Sequence, residues 1–279
     1  MTTKTTFNAV VIGYGMSAKI FHIPLIQVVP EFKLYGIVQR TAKPNDDASK
    51  DYPDVKTWTS AEAMLEDPAI DLVVVTSTPD AHYSQASAAL SAGKHVVVEK
   101  PFCRTAEEAH SLVAMAKKAG KHLTVYQNRR WDQDFLTVQK LLAEGKLGDI
   151  AEFETHYDRF RPELPAPESQ TWKNKALPAG GALFDLGSHL LDQVYTLFGA
   201  PKNVTGFVGV HKRGLKDGEC APDFCTVLLE YGDEGEQMFV TVKSSSLSPE
   251  EEQLRFWIRG SKGSFKKVGD YYIPCICIY

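Results

Sequence analysis

Three sets of residues in this chain have the types and spacing that chemistry needs. Asp185 and His189 stand four apart in Gly180-Gly181-Ala182-Leu183-Phe184-Asp185-Leu186-Gly187-Ser188-His189. If the stretch is helical from Leu183, the two side chains share a face, and Asp192 lies close to it. A carboxylate beside an imidazole fixes its tautomer and raises its basicity, which general-base work at neutral pH requires. A helix whose histidine merely satisfies a local acceptor has the same spacing. Lys100, in Glu99-Lys100-Pro101, forms the second set. Lysine is seldom buried alone, and the following proline biases its backbone toward an extended form. A solvated loop lysine is the alternative. The third set is Gly13-Tyr14-Gly15-Met16-Ser17-Ala18, a Gly-x-Gly-x-x-Ala pattern. Its first glycine suits a tight turn, its second a close backbone approach to pyrophosphate, and its small last residue close helix–strand packing.

The elements around these residues decide whether the patterns matter. Phe7–Ile12 reads as a strand and Ser17–Val29 as a helix, interrupted near Pro24, which is the context the glycine pattern requires. Leu72–Val75 is an uninterrupted apolar run, as expected of a strand buried on both faces of a parallel sheet. Thr76 to Pro79 breaks it, Pro79 opens a helix that Gly93 closes, and His95–Val98 is the next strand. This is one βαβ unit, and ligands bind at the carboxyl ends of such strands. Gly13, Gly15, Met16 and Ser17 therefore face a cofactor crevice, as do Thr76, Pro79, Glu99 and Lys100. His82 lies early in the helix, where a structural role and a place near the cofactor are equally open.

The strand Phe32–Gln39 ends at Gln39-Arg40-Thr41, where an NAD enzyme carries an acid for the adenosine ribose. A missing acid with Arg40 suits a 2′-phosphate, so NADP is expected, with NAD as the alternative and an exposed loop arginine as the plain one. Trp58–Glu66 reads as a helix, and Thr105–Ala119 as another with Thr105 and Gly120 as caps. Leu123–Tyr126 is the last strand of the first domain. A polar and aromatic cluster follows it, in which Asn128 or Arg129 touches cofactor or substrate, or else forms inter-domain salt bridges.

Beyond a helix at Phe135–Ala143 and a strand at Ile150–Tyr157, Asp158 to Lys173 reads as a lid. Segments at Val204–Val210, Phe224–Tyr231, Gln237–Ser244 and Leu254–Arg259 read as strands of an open antiparallel sheet. The expected class is α/β. A Rossmann dinucleotide-binding domain spans 1–127, an α+β domain with a mostly antiparallel sheet spans 128–267, and an atypical tail spans 268–279.

Thr76-x-x-Pro79, Gly93-Lys94-His95-Val96-x-x-Glu99-Lys100-Pro101 and Gly180-Gly181-x-x-x-Asp185-x-Gly187-x-His189-x-x-Asp192 together resemble the Gfo/Idh/MocA family of nicotinamide-dependent sugar and polyol dehydrogenases. The resemblance runs from about Phe7 to Gly263. Phe21-His22-x-Pro24-Leu25, Asn128-Arg129-Arg130-Trp131-Asp132 and Tyr157-Asp158-Arg159-Phe160-Arg161-Pro162 are similar to its NADP-dependent scyllo-inositol dehydrogenases. What the resemblance implies is a catalytic group of Lys100, Asp185 and His189, facing each other across a cleft. His189 takes the proton of a secondary hydroxyl, Asp185 orients it, and Lys100 stabilises the developing charge. It also implies substrate contacts near Arg129, Trp172 and Asp192, and a homo-oligomer formed through the antiparallel sheet. A nucleotide-sensing regulator on the same fold is the rival reading.

Composition excludes little else. A net charge of −4 gives no reason to expect nucleic acid or an anionic membrane as partner. No apolar run is long enough to span a bilayer, and the five cysteines lack zinc-site spacing. A cytoplasmic location, with reduced thiols and no metal, is expected. The family normally continues beyond Phe265, so the apolar Val268–Tyr279 is expected to be an anomaly, such as a misread exon boundary.

Overall fold

The computed structural model describes residues 6–212, 214–233, 235–269 and the backbone of 275–278. The chain divides into two compact units, Met1–Tyr126 and Gln127–Tyr279. The boundary falls one residue before the expected one.

The first unit holds strands β1 (Phe7–Ile12), β2 (Phe32–Val38), β3 (Lys56–Trp58), β4 (Leu72–Val75), β5 (His95–Val98) and β6 (Leu123–Val125). They form one parallel sheet in the order β3-β2-β1-β4-β5-β6. Val73, Val74 and Val75 are all buried, which is why an apolar run without alternation makes a central strand here. Chain order reverses between β1 and β4, so the crevice of this Rossmann sheet opens at their carboxyl ends. Among its helices, α1 spans Ile23–Val28, α2 Ala48–Asp51, α3 Ala61–Leu65, α4 Pro79–Ser91 and α5 Ala106–Ala119. Pro79 occupies the first turn of α4, and α5 has Thr105 as N-cap and left-handed Gly120 as C-cap.

Two segments differ from expectation. The helix expected over Ser17–Val29 is a π-helical turn, Ala18–His22, followed by α1. Pro24 has no N–H to return to the chain's preceding turn, so regular α-helix cannot run through it. Trp58, expected to open a helix, ends β3 instead. A Cβ on Gly36 would lie 2.1 Å from the Trp58 ring, so the glycine in β2 makes room for that indole. Helix α3 starts only after Ser60, whose hydroxyl accepts from the Ala63 N–H at 3.2 Å.

The second unit holds α6 (Gln133–Ala143), β7 (Ile150–Asp158), α7 (Ser188–Phe198), β8 (Asn203–Gly209), β9 (Phe224–Tyr231), β10 (Met238–Ser245), β11 (Leu254–Gly260), β12 (Gly263–Val268) and β13 (Cys275–Ile278). The sheet order is β13-β12-β11-β7-β10-β9-β8, antiparallel throughout except for the central pair β7–β10. Phe135, Val138, Leu190 and Val194 of the two helices pack with Phe153, Val240, Val242 and Ile258 from one face. Leu228, Phe239 and Trp257 are exposed.

The expected lid is anchored at its start. The Arg159 N–H donates to Ser245 at 2.8 Å and the Arg161 N–H to Ser246 at 2.7 Å, so 159–161 continue the pairing of β7 with the end of β10. Of the segment expected to be an atypical tail, Val268 ends β12 and the 275–278 backbone pairs with that strand. Residues 270–274 and 279 of that segment lie outside the described residues.

Candidate active site

In the first unit the two fingerprint glycines do different work. Gly13 has φ +100°, and a Cβ there would sit 2.9 Å from Thr76 Oγ1 and 3.2 Å from its carbonyl oxygen. Gly13 is thus required by the chain's own packing, with the Thr76 hydroxyl donating to the Ile12 carbonyl at 2.9 Å. A Cβ at Gly15 would meet nothing within 4 Å. Nothing among the described residues requires that glycine, and the space beside it is what a pyrophosphate needs to approach the backbone. Met16 beside it is 63% exposed. The loop therefore fits a dinucleotide.

Glu99, at the end of β5, is a buried carboxylate with both oxygens engaged. Oε1 accepts from the Ser17 hydroxyl and lies 2.9 Å from His22 Nε2, while Oε2 accepts from the Lys100 N–H at 3.0 Å. Burial pushes the Glu99 carboxyl up, but hydrogen bonds from His22 and Ser17 outweigh it and hold it below the usual range. Two residues assigned to the cofactor, Ser17 and Glu99, are therefore bonded to each other. His22, to which no role was assigned, completes the link with its ring 4.2 Å from that of Tyr126. Lys100 leaves this cluster directly and is half-buried, with a cis bond to Pro101.

His82 has a structural task. Its ring is 1% exposed, with Nδ1 2.8 Å from the Pro101 carbonyl and Nε2 3.1 Å from that of Ser77. It ties together the turns after β4 and β5, and Pro79, also buried, starts the same helix. Arg40 follows β2 and is exposed, without an ion pair or side-chain hydrogen bond among the described residues. Gln39 is occupied, since Nε2 donates to Asp46 at 2.7 Å and Oε1 accepts from the Ala48 N–H at 2.8 Å. The nearby acids are engaged too: Asp46 pairs with Lys19, and Asp47 caps α2.

In the second unit the Gly180-Gly181 pair fits between two chain segments. A Cβ on Gly180 would lie 2.7 Å from the Trp172 carbonyl, and one on Gly181, at φ +87°, 2.3 Å from that of Pro222. This close packing delivers Asp185 to Lys173, whose ammonium lies 2.8 Å from Oδ1 and 5.6 Å from the Trp172 ring centroid. From sequence Lys173 stands only as the end of the lid, and its role beside Asp185 was missed, although its pairing with Trp172 was a visible signal. Leu183–Gly187 forms a π-helical turn and α7 begins only at Ser188, so the expected continuous α-helix from Leu183 is absent. The Ser188 hydroxyl donates back to Phe184 at 2.8 Å, filling a carbonyl of that wider turn. Asp185 and His189 are both buried, at 8% and 4% exposure.

The remaining expected residues are differently placed. Arg130 grips Asp192 through two hydrogen bonds of 2.8 and 2.6 Å, which occupies both carboxylate oxygens. Arg129 donates to Asp132 at 2.9 Å and to the Tyr157 hydroxyl at 2.7 Å. Burial pushes that Tyr157 hydroxyl up to about 12, with Arg255 and Arg129 opposing it. Asn128 is half-buried, and its amide makes no hydrogen bond among the described residues. Among the described residues no helix is long and apolar enough to cross a membrane.

The fold and this set of residues define a dinucleotide-dependent oxidoreductase. The profile of the oxidoreductase family with the NAD-binding Rossmann fold matches residues 7–127, and that of the GFO/IDH/MocA C-terminal domain matches 135–266. The chain is 38% identical to scyllo-inositol 2-dehydrogenase (NADP(+)) IolW of Bacillus subtilis, over 95% of this chain and 69% of that protein. It is 41% identical to the uncharacterized oxidoreductase YdgJ of Escherichia coli, over 92% of this chain and 70% of that protein. The structure of an oxidoreductase from Bacillus cereus superposes with a TM-score of 0.81 at 33% identity, covering 95% of this chain and 71% of that one. The chain belongs to the Gfo/Idh/MocA family of NAD(P)-dependent oxidoreductases.

Proposed function

We propose that the chain oxidises a secondary hydroxyl of a cyclic, inositol-like polyol or sugar with NADP+. The observation that carries this is the presence of Lys100, Asp185 and His189 on a chain whose relative at 38% identity is an NADP-dependent scyllo-inositol dehydrogenase. A nicotinamide supplies the hydride acceptor when bound. His189 takes the hydroxyl proton. Lys100 donates a hydrogen bond to the same oxygen and stabilises the negative charge that develops there. Asp185, ion-paired with Lys173, positions His189. The preference for NADP rests on exposed Arg40 and on the prior engagement of Gln39, Asp46 and Asp47. Exposed Leu228, Phe239 and Trp257 on the second sheet support a homo-oligomer.

The test follows nicotinamide absorbance with NADP+ or NAD+ and a panel of inositols and aldoses. Turnover is expected with NADP+ and is expected to fall at least about a hundredfold in His189→Ala. Tight cofactor binding without turnover of any polyol would replace this reading with the nucleotide-sensing regulator.

A further inference from the structure

The second unit holds a cavity of about 150 Å³, open to solvent on one side, between the start of the 159–175 loop, the end of β10 and the turn before β9. Lys212 lines it and is 7% exposed. Its backbone N–H donates to Asp223 at 3.0 Å, but its ammonium has no ion pair or hydrogen bond among the described residues. Burying a lysine this way is costly unless something supplies the opposite charge. Ser246 also lines the cavity, and its hydroxyl is buried without a hydrogen-bond partner among the described residues. Buried hydroxyls are normally satisfied, so this one too calls for a partner that the described residues do not provide.

The charges around the cavity are unevenly matched. Asp185 is paired with Lys173 at 2.8 Å, and Asp223 already accepts from the His211 and Lys212 N–H groups at 2.8 and 3.0 Å. Among the described residues Glu163 and Asp223 make no ion pair, so two lining carboxylates stand against the Arg159 and Arg161 guanidiniums and the Lys212 ammonium, which leaves one positive charge in excess. The two arginines are fixed on the wall by backbone bonds to Ser245 and Ser246. A planar guanidinium, an ammonium and a hydroxyl together form a donor set for a carboxylate or phosphate.

We propose that this cavity binds an anionic group, a carboxylate or a phosphate ester, through Lys212, Arg159 and Ser246. Asp185 lines the same cavity, so the group is a substituent of the molecule that is oxidised. That last step rests on the function proposed above. The preferred substrate is then an acidic or phosphorylated polyol rather than a neutral one.

Isothermal titration at constant ionic strength would compare glucuronate with glucose, inositol monophosphate with inositol, and inorganic phosphate alone. The full chain would be used as wild type, Lys212→Met and Ser246→Ala. The charged member of each pair is expected to bind at least tenfold tighter to the wild type. Lys212→Met is expected to erase that difference, and Ser246→Ala to reduce it severalfold. Lys212→Met keeps the side-chain length and removes a buried unmatched charge, so its melting temperature is expected to rise, which guards against simple misfolding. Equal affinity for charged and neutral compounds, or an unchanged preference in Lys212→Met, overturns the proposal. Turnover of neutral polyols without charge preference would do so while leaving the enzymatic reading intact. Anion binding lost in Lys212→Met, with no oxidation of any polyol, supports the site and overturns that reading. Inorganic phosphate binding with a charged polyol turned over at lower KM identifies the substituent as the occupant. Phosphate binding with no preference among polyols overturns the substituent and leaves a free-anion site.

Discussion

Gly13 and Gly15 stand two residues apart in one loop and are glycines for opposite reasons. Alanine at Gly13 would keep a left-handed φ and press on Thr76, so Gly13→Ala is expected to cost about 1–3 kcal/mol in urea unfolding. Gly15→Ala meets no atom of the described residues, so stability should stay within about 0.5 kcal/mol. Its affinity for reduced nucleotide, followed by fluorescence, should instead fall tenfold or more, about 1.4 kcal/mol. Glu99 makes a pH prediction. Its carboxyl is held below the ordinary 4.5, so the stability it contributes is present above that value. That contribution is lost as pH falls through the depressed folded value. Denaturant midpoints measured downward from pH 6 should fall more steeply for the wild type than for Glu99→Gln, which has no such proton to take up.

At the scale of elements, the segment after β2 and the helix α7 carry the clearest expectations. Arg40→Ala is expected to raise KM for NADP+ on the order of tenfold to a hundredfold and leave KM for NAD+ nearly unchanged. Equal effects on both cofactors would remove Arg40 from the 2′-phosphate. Leu190 of α7 is fully buried against the second sheet, one residue after His189. Leu190→Ala should therefore cost about 2–5 kcal/mol. Much at this scale was legible beforehand. Leu72–Val75 could only be a doubly covered strand, and Thr105 and Gly120 mark the ends of α5 by cap chemistry. From sequence Trp58 reads as the start of a helix although it ends β3, because its indole signals burial in either element. The π-helical turns at Ala18–His22 and Leu183–Gly187 were not legible, since they come from Pro24 and from packing around Gly181 rather than from any local period.

Across the whole molecule, the two units build separate cores, one around the parallel sheet and one around the mixed sheet. A cofactor that binds the first unit stabilises that unit. NADP+ at a hundred times its Kd should add about 2.7 kcal/mol to the first unit's stability, visible as a shift of its calorimetric transition. What the sequence did not disclose are contacts over long separations. Glu99 meets Ser17 and His22, Arg130 meets Asp192, and Ser246 joins Lys212 in one cavity. Each partner carries an ordinary local signal, and only the folded chain shows that they belong together.

The parallel pair at the centre of the second sheet has a consequence for biosynthesis. Both strands that flank β7, β10 and β11, are made after it, and β10 begins some 80 residues after β7 ends (238 − 158). At ribosomal rates of about 5–20 residues per second, β7 waits roughly 4–16 s with both edges unpaired. Glu152, Glu154 and Asp158 give it charges before their partners Arg259, Lys243 and Ser245 exist, which discourages pairing with other nascent chains. Uncharged replacements for those acids should therefore lower soluble yield during synthesis more than they lower the stability of protein already folded.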